Sequence, residues 1–202
     1  TEDRVAPIPS RYADLADDGR QQQDVNRVVV PLHKTLKDWV TDPDCSNTTR
    51  VITGGPGSGK SSFTQMFAAH ICKKRIISTL RIPIYKLDVS GDIVKAVGQY
   101  CARATELRYN PLDGDDSRPL LVIFDGLDEI SEQGKMGEEA ARSFIQRVQR
   151  IVLQFQGQRD LRVLFSGRSV VVQSSKSEFG EAKVLHLLPF HVSEDKRETF
   201  DD

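Results

Sequence analysis

Cysteine is scarce: Cys45, Cys72 and Cys101 are the chain's three thiols. Odd in number, far apart and without a Cys-x-x-Cys partner, they speak against a disulfide framework or a structural zinc and fit reduced thiols in the cytoplasm. The four histidines, His33, His70, His186 and His191, show no His-Glu-x-x-His spacing, which excludes a zincin. Long apolar runs are missing too. Leu120 to Phe124 is the longest, far short of the roughly 20 residues that cross a bilayer. Thr1-Glu2-Asp3-Arg4 shows no signal-peptide core, so a soluble cytoplasmic protein without membrane contact is expected. Charge of one sign is also absent. Basic residues number 28 and acidic residues 29, for a net charge of -1, so nothing draws the whole chain to nucleic acid, and no nucleic-acid partner is expected. Lys73-Lys74-Arg75 is the one tight basic run and reads as a solvated helix end.

What remains is an ordinary globular composition, 38% hydrophobic and 28% charged over 202 residues, enough for one sizeable core. Short apolar runs alternate with helical periodicity, the pattern of an α/β domain with a mainly parallel sheet. Strands are expected at Arg50 to Thr53, Arg81 to Leu87, Leu120 to Asp125, Leu161 to Ser166 and Val184 to Leu188. The third and fourth are continuously apolar, as central strands buried on both faces are. Phe63, Met66, Phe67, His70 and Ile71 make one face of a helix, with His70 at its edge. Ile93, Val97, Tyr100, Cys101 and Ala104 make a second, and Ala141, Phe144, Ile145, Val148, Ile151, Val152 and Phe155 a longer third that Gly157 can stop.

The chain's beginning differs. Pro7, Pro9 and the polar run Asp17 to Asp24 read as an irregular lead-in, followed by an amphipathic segment through Trp39 in which Pro31 either starts or kinks a helix. Asn110 to Pro119 is rich in Asp, Gly and Pro and reads as a loop. Ser193-Glu194-Asp195-Lys196 reads as a helix start with Ser193 as its N-cap, close to the last residue, Asp202. The expectation is therefore a piece of a larger multidomain protein: a lead-in and amphipathic helix over 1–48, a core over 49–192, and the start of a following helical region over 193–202.

Three motifs carry chemistry. Gly54-Gly55-Pro56-Gly57-Ser58-Gly59-Lys60-Ser61 matches G-x-x-x-x-G-K-[ST] between an expected strand and a helix opened by Ser61 and Ser62. Its glycines let backbone N–H groups turn toward phosphate, the helix N-terminus adds partial positive charge, Lys60 neutralises the β and γ phosphates, and the Ser61 hydroxyl completes a Mg²⁺ shell. The bare pattern arises by chance in under about 1% of chains this long, which sets aside a glycine turn without a ligand. A dinucleotide fingerprint fails because Lys60 stands where its third glycine would be. Second, Leu120 to Asp125 delivers a carboxylate at a strand's C-terminal end, a Walker B arrangement in which Asp125 holds Mg²⁺. Asp128 and Glu129 follow within a turn, one to polarise the attacking water and the other to support the magnesium shell. Third, Leu161 to Ser169 is a buried strand ending in Ser166-Gly167-Arg168-Ser169. Arg168 is the candidate for sensing the γ-phosphate, against a plain solvated arginine.

Together these blocks resemble the NACHT module of STAND (signal-transducing) NTPases. Asp125-Gly126-Leu127-Asp128-Glu129 is similar to that family's Walker B string, Ser166 to Ser169 to its sensor 1, Leu187 to Glu194 to the strand, Pro-Phe turn and helix that follow, and Tyr12-Ala13-Asp14-Leu15 to its lead-in. The resemblance is closest to the bacterial, antiviral branch. It implies an α/β, three-layer P-loop NTPase of the ASCE type: a five-stranded mainly parallel sheet of order 5-1-4-3-2 with helices on both faces. It also implies an ATP- or ADP-binding, Mg²⁺-dependent switch with slow hydrolysis that forms homo-oligomers on activation, with effector and sensor domains flanking it and a protein trigger. The family's winged-helix histidine is expected beyond Asp202. The alternatives are a dedicated P-loop ATPase or phosphotransferase, although no Arg-rich lid stands between Leu87 and Pro119, and a pseudo-NTPase that binds without hydrolysing.

Overall fold

The apolar runs become parallel strands of one sheet in a computed structural model that describes residues 12–15, 28–44, 47–104, 107, 109–113, 117–131, 135–179 and 182–188. The strands are β1 (Tyr12–Leu15), β2 (Val28–Pro31), β3 (Thr49–Thr53), β4 (Ser78–Pro83), β5 (Leu120–Asp125), β6 (Leu161–Gly167) and β7 (Lys183–Leu187). The helices are α1 (Leu32–Thr41), α2 (Lys60–Lys73), α3 (Ile93–Ala104), α4 (Leu127–Ser131), α5 (Lys135–Phe155), α6 (Ser169–Ser174) and α7 (Lys176–Phe179). The Pro-Phe turn after Leu188, the helix start at Ser193, and Pro7 and Pro9 lie outside the described residues.

The sheet has seven strands in the order β2-β1-β7-β3-β6-β5-β4. From β7 to β4 all pairs are parallel, and counting these five strands along the chain gives 5-1-4-3-2. The expected five-stranded sheet is thus extended by two antiparallel strands, with β1 beside β7 and β2 outermost. One expected strand is misplaced: Arg81 to Leu87 gives way to β4, followed by a 3₁₀ turn over Ile84–Lys86. Pro83 explains the shift, since it has no N–H to continue a ladder and fixes the bend out of the sheet.

β3, β5 and β6 are buried at every position. Successive side chains leave a strand on opposite faces, and the core divides accordingly. Leu121 and Ile123 pack with Ile52, Leu164, Leu36 and Trp39 of α1, and Phe63, Phe67 and Ile71 of α2. Val122 and Phe124 pack on the other face with Val163, Phe165, Val97 of α3, and Phe144, Ile145 and Val148 of α5. The fold is therefore three-layered. Pro31 starts α1, standing at its N-cap with φ −66°, where a missing N–H costs nothing. Gly157, at φ +82°, stops α5. Among the described residues no helix is long and apolar enough to cross a membrane.

Candidate functional site

Registry brings three strand ends level. Ser166 of β6 is opposite both Ile52 of β3 and Asp125 of β5, so the loop after β3, the end of β5 and the end of β6 open on one edge, the C-terminal edge where open α/β sheets bind ligands.

The loop after β3 holds Gly54, Gly55, Pro56, Gly57, Ser58 and Gly59. Gly57 at φ +68° and Gly59 at φ +83° take the left-handed conformation that glycine adopts without strain. Gly54 is needed for space: a Cβ there would stand 2.8 Å from Ser58 Oγ and 3.3 Å from Leu187 Cβ. Around Gly55 and Gly57 a Cβ would meet nothing within 4 Å, so the loop's outer side lies open to an approaching group. The loop curls about the Lys60 ammonium, which donates to Gly54 O at 3.0 Å and Gly55 O at 2.9 Å. Burial lowers the Lys60 pKa, the charge of Asp128 opposes that, and Arg168 and Asp125 act more weakly in opposite senses. Ser61 and Ser62 lie exposed on the first turn of α2. Gly59 has no side chain to cap this helix, so its leading N–H groups face the loop.

Asp125 is 3% exposed. Its Oδ1 accepts from Ser166 Oγ and its Oδ2 from the Arg81 guanidinium. Gly126, at φ +97°, turns the chain into α4 and donates to Ser166 O and Ser166 Oγ, each at 3.2 Å. Asp128 accepts the Arg168 backbone N–H at 3.1 Å and pairs with Arg168 Nε at 3.0 Å, so the exposed Arg168 is anchored to the acid at the start of α4. Glu129 turns the other way, accepting the Tyr85 N–H at 3.1 Å and lying over Gly126. The structure thus gathers Lys60, Asp125, Asp128 and Arg168 around one opening and sets Glu129 on its β4 flank.

The residues fit a magnesium nucleotide. A glycine-rich loop, a lysine and an uncapped helix start suit phosphate. A serine hydroxyl and a carboxylate are the hard oxygen donors that Mg²⁺ accepts. Among the described residues no three His, Cys, Asp or Glu side chains form a metal cluster, so these donors would act with the nucleotide's own phosphate oxygens.

Sequence reasoning missed Arg81 and Thr64. Arg81 Nε donates to Thr64 Oγ1 at 3.2 Å while its other end holds Asp125. The signal was a charged residue between Leu80 and Ile82 in a strand beside an apolar one, but its target depends on a register that sequence does not state.

No protein family's sequence model matches the chain, and no curated protein matches it in sequence. Solved structures do resemble it. The ORC2 protein of Aeropyrum pernix in its ADPNP-ADP complexes matches with a TM-score of 0.53 and 12% identity over 77% of this chain and 46% of that one. Its ADP form matches at 0.51 and 12% over 83% and 49%. These likenesses show the α/β P-loop fold, and this chain spans about half the length of the proteins it matches.

Proposed function

We propose that the chain is the ATP- or ADP-binding module of a regulatory switch of the NACHT class of STAND NTPases, acting in signalling or antiviral defence. The observation that carries the nucleotide site is the level placement of the phosphate loop after β3, the Asp125 carboxylate ending β5 and the Ser166-Gly167-Arg168 end of β6. The class rests on Asp125 to Glu129, whose string matches that family's Walker B. Adenine rather than guanine is favoured because no Asn-Lys-x-Asp occurs and the similar ORC2 structures are complexes of ADPNP and ADP.

In this reading Lys60 leaves the loop carbonyls for the β and γ phosphates, while the α2 N–H groups hold the phosphate chain. Ser61 and Asp125 hold Mg²⁺, which when bound neutralises charge on the phosphate oxygens. Asp128 fixes Arg168 so that its guanidinium stands ready to read the γ-phosphate. Glu129, on releasing the Tyr85 N–H, orients the attacking water. Because Lys60 and Glu129 are tethered within the protein, nucleotide binding must exchange these contacts, which suits a slow switch; assembly into homo-oligomers on activation is part of the same class reading. Flanking effector and sensor domains and a protein trigger complete the proposal.

The test is binding of a fluorescent ADP. Loss of a charged phosphate contact is worth about 1.5–3 kcal/mol, so Lys60→Ala should weaken binding about 10- to 100-fold. Unchanged binding would remove the phosphate site. ATP turnover of many per second without an activator would overturn the switch in favour of a dedicated ATPase.

A further inference from the structure

Arg81 stands out as a half-buried cation on the carboxylate that the nucleotide reading reserves for a metal. Its Cα is paired with that of Ile123 in the β4–β5 ladder. Ile123 and Asp125, two apart on one strand, share the sheet face covered by α2. A long side chain at position 81 on this face therefore lies between Asp125 and α2, and its guanidinium bonds Asp125 Oδ2 on one side and Thr64 Oγ1 on the other. Thr64 is fully buried and its hydroxyl donates to Ser61 O at 2.9 Å, so the same turn of α2 carries Ser61 and the tether of Arg81. The arginine thus sits between the elements that supply the two metal-binding oxygens.

Resting on the nucleotide-site reading, we propose that Arg81 is an internal counter-ion that competes with the divalent cation for Asp125, so that Mg²⁺ loads only when the guanidinium lets go. Asp125 is already neutralised by Arg81 and hydrogen bonded by Ser166. A doubly charged ion reaching the same carboxylate meets a like charge in a site with little water to screen it. Release is sterically simple. The Arg81 backbone is fixed by the ladder and by Tyr100, whose hydroxyl donates to Arg81 O at 3.2 Å. The side chain, at 22% exposure, has a route to solvent. Arg81 acts on the metal through Asp125, which makes it a positioning residue.

The experiment measures the Mg²⁺ concentration at half-maximal enhancement of fluorescent-ADP binding to the full chain, with binding in EDTA as the baseline. Arg81→Met should lower this midpoint by about tenfold or more, since the competing charge is gone. Thr64→Val, which frees one end of the guanidinium and leaves its charge, should lower it by a smaller factor. A midpoint that is unchanged or raised in Arg81→Met overturns the proposal, a rise showing that Arg81 instead aligns Asp125 for the metal. If Arg81→Met loses its folded circular-dichroism signature, Thr64→Val decides: a lower midpoint supports the competition, and an unchanged or higher one ends it. Wild-type chain that binds no ADP with or without Mg²⁺ overturns the nucleotide reading and this one with it, whereas intact binding with an unmoved midpoint removes only the competition.

Discussion

Gly126 meets two demands at once. It bends the chain out of β5 at φ +97°, and a Cβ there would stand 2.7 Å from Glu129 Cδ. Gly126→Ala adds left-handed strain and displaces the Glu129 carboxylate from the Tyr85 N–H. The expected destabilisation is about 1–3 kcal/mol, read from the urea midpoint, and the slope of the transition should stay the same because the core is untouched. At this scale the candidate site was legible in the sequence wherever it follows local spacing: Gly57, Gly59 and Lys60 belong to a contiguous loop, and Asp125 ends an apolar run. It was not legible where the arrangement needs a partner from elsewhere. Nothing near Arg81 names Asp125, and nothing near Asp128 names Arg168, since both pairs are made by the order and register of strands.

Helices α1 and α2 meet through an unusual pair. The His33 and His70 rings stand edge to face at 4.7 Å, with the Phe67 ring 5.7 Å from His33. Both pKa values are lowered, His33 by burial and then by His70 and Lys37, His70 by burial and then by Lys74 and Lys37. The neutral forms are therefore favoured by folding. Just below pH 6.5 the unfolded chain binds more protons than the folded one, so stability falls as pH drops from neutral through that window and levels off below the folded pKa values. His70→Gln removes one lowered group and the mutual repulsion, so the loss of melting temperature between pH 7.5 and 5.5 should be smaller than in the wild type. An equal loss would place the acid sensitivity elsewhere.

A firmer tie joins α1 to the sheet. Arg162, 1% exposed on β6, donates to Trp39 O and Asp42 O at the end of α1 and pairs with Asp160 at 2.9 Å. Arg162→Leu removes the guanidinium that these two carbonyls and the Asp160 carboxylate share, and a loss of about 2–4 kcal/mol is expected in urea unfolding. The element boundaries show why sequence periodicity carried only part of this. Continuous burial made β5 and β6 plain, and regular spacing did the same for α2, α3 and α5. Short α4, α6 and α7 hold too few residues to show a period, and Arg162 gave no hint of its tie to α1 because its partners there, Trp39 and Asp42, lie over 100 residues away in the chain.

For the whole molecule, the strand order is what makes one ligand consequential. The 5-1-4-3-2 arrangement, legible through the motifs' resemblance, sets the ends of β3, β6 and β5 side by side, whereas the antiparallel β1 and β2 lie beyond β7. A nucleotide gripped by Lys60 and Asp125 would therefore couple α2, α4 and α6 through the sheet centre and leave the β1–β2 edge alone. At 100 times its dissociation constant, a ligand specific to the folded state adds about 2.7 kcal/mol. At roughly 2–4 °C per kcal/mol for a chain of this size, saturating Mg²⁺-ADP should raise the melting temperature by about 5–10 °C, and Lys60→Ala should forfeit most of that rise. Hydrogen exchange locates the effect: added protection should fall on the first turn of α2, the β5–α4 junction and the β6–α6 junction, with β1 and β2 unchanged. Protection centred on β1 and β2 instead would mean that the ligand binds at the sheet's antiparallel edge and that the level strand ends are not its site.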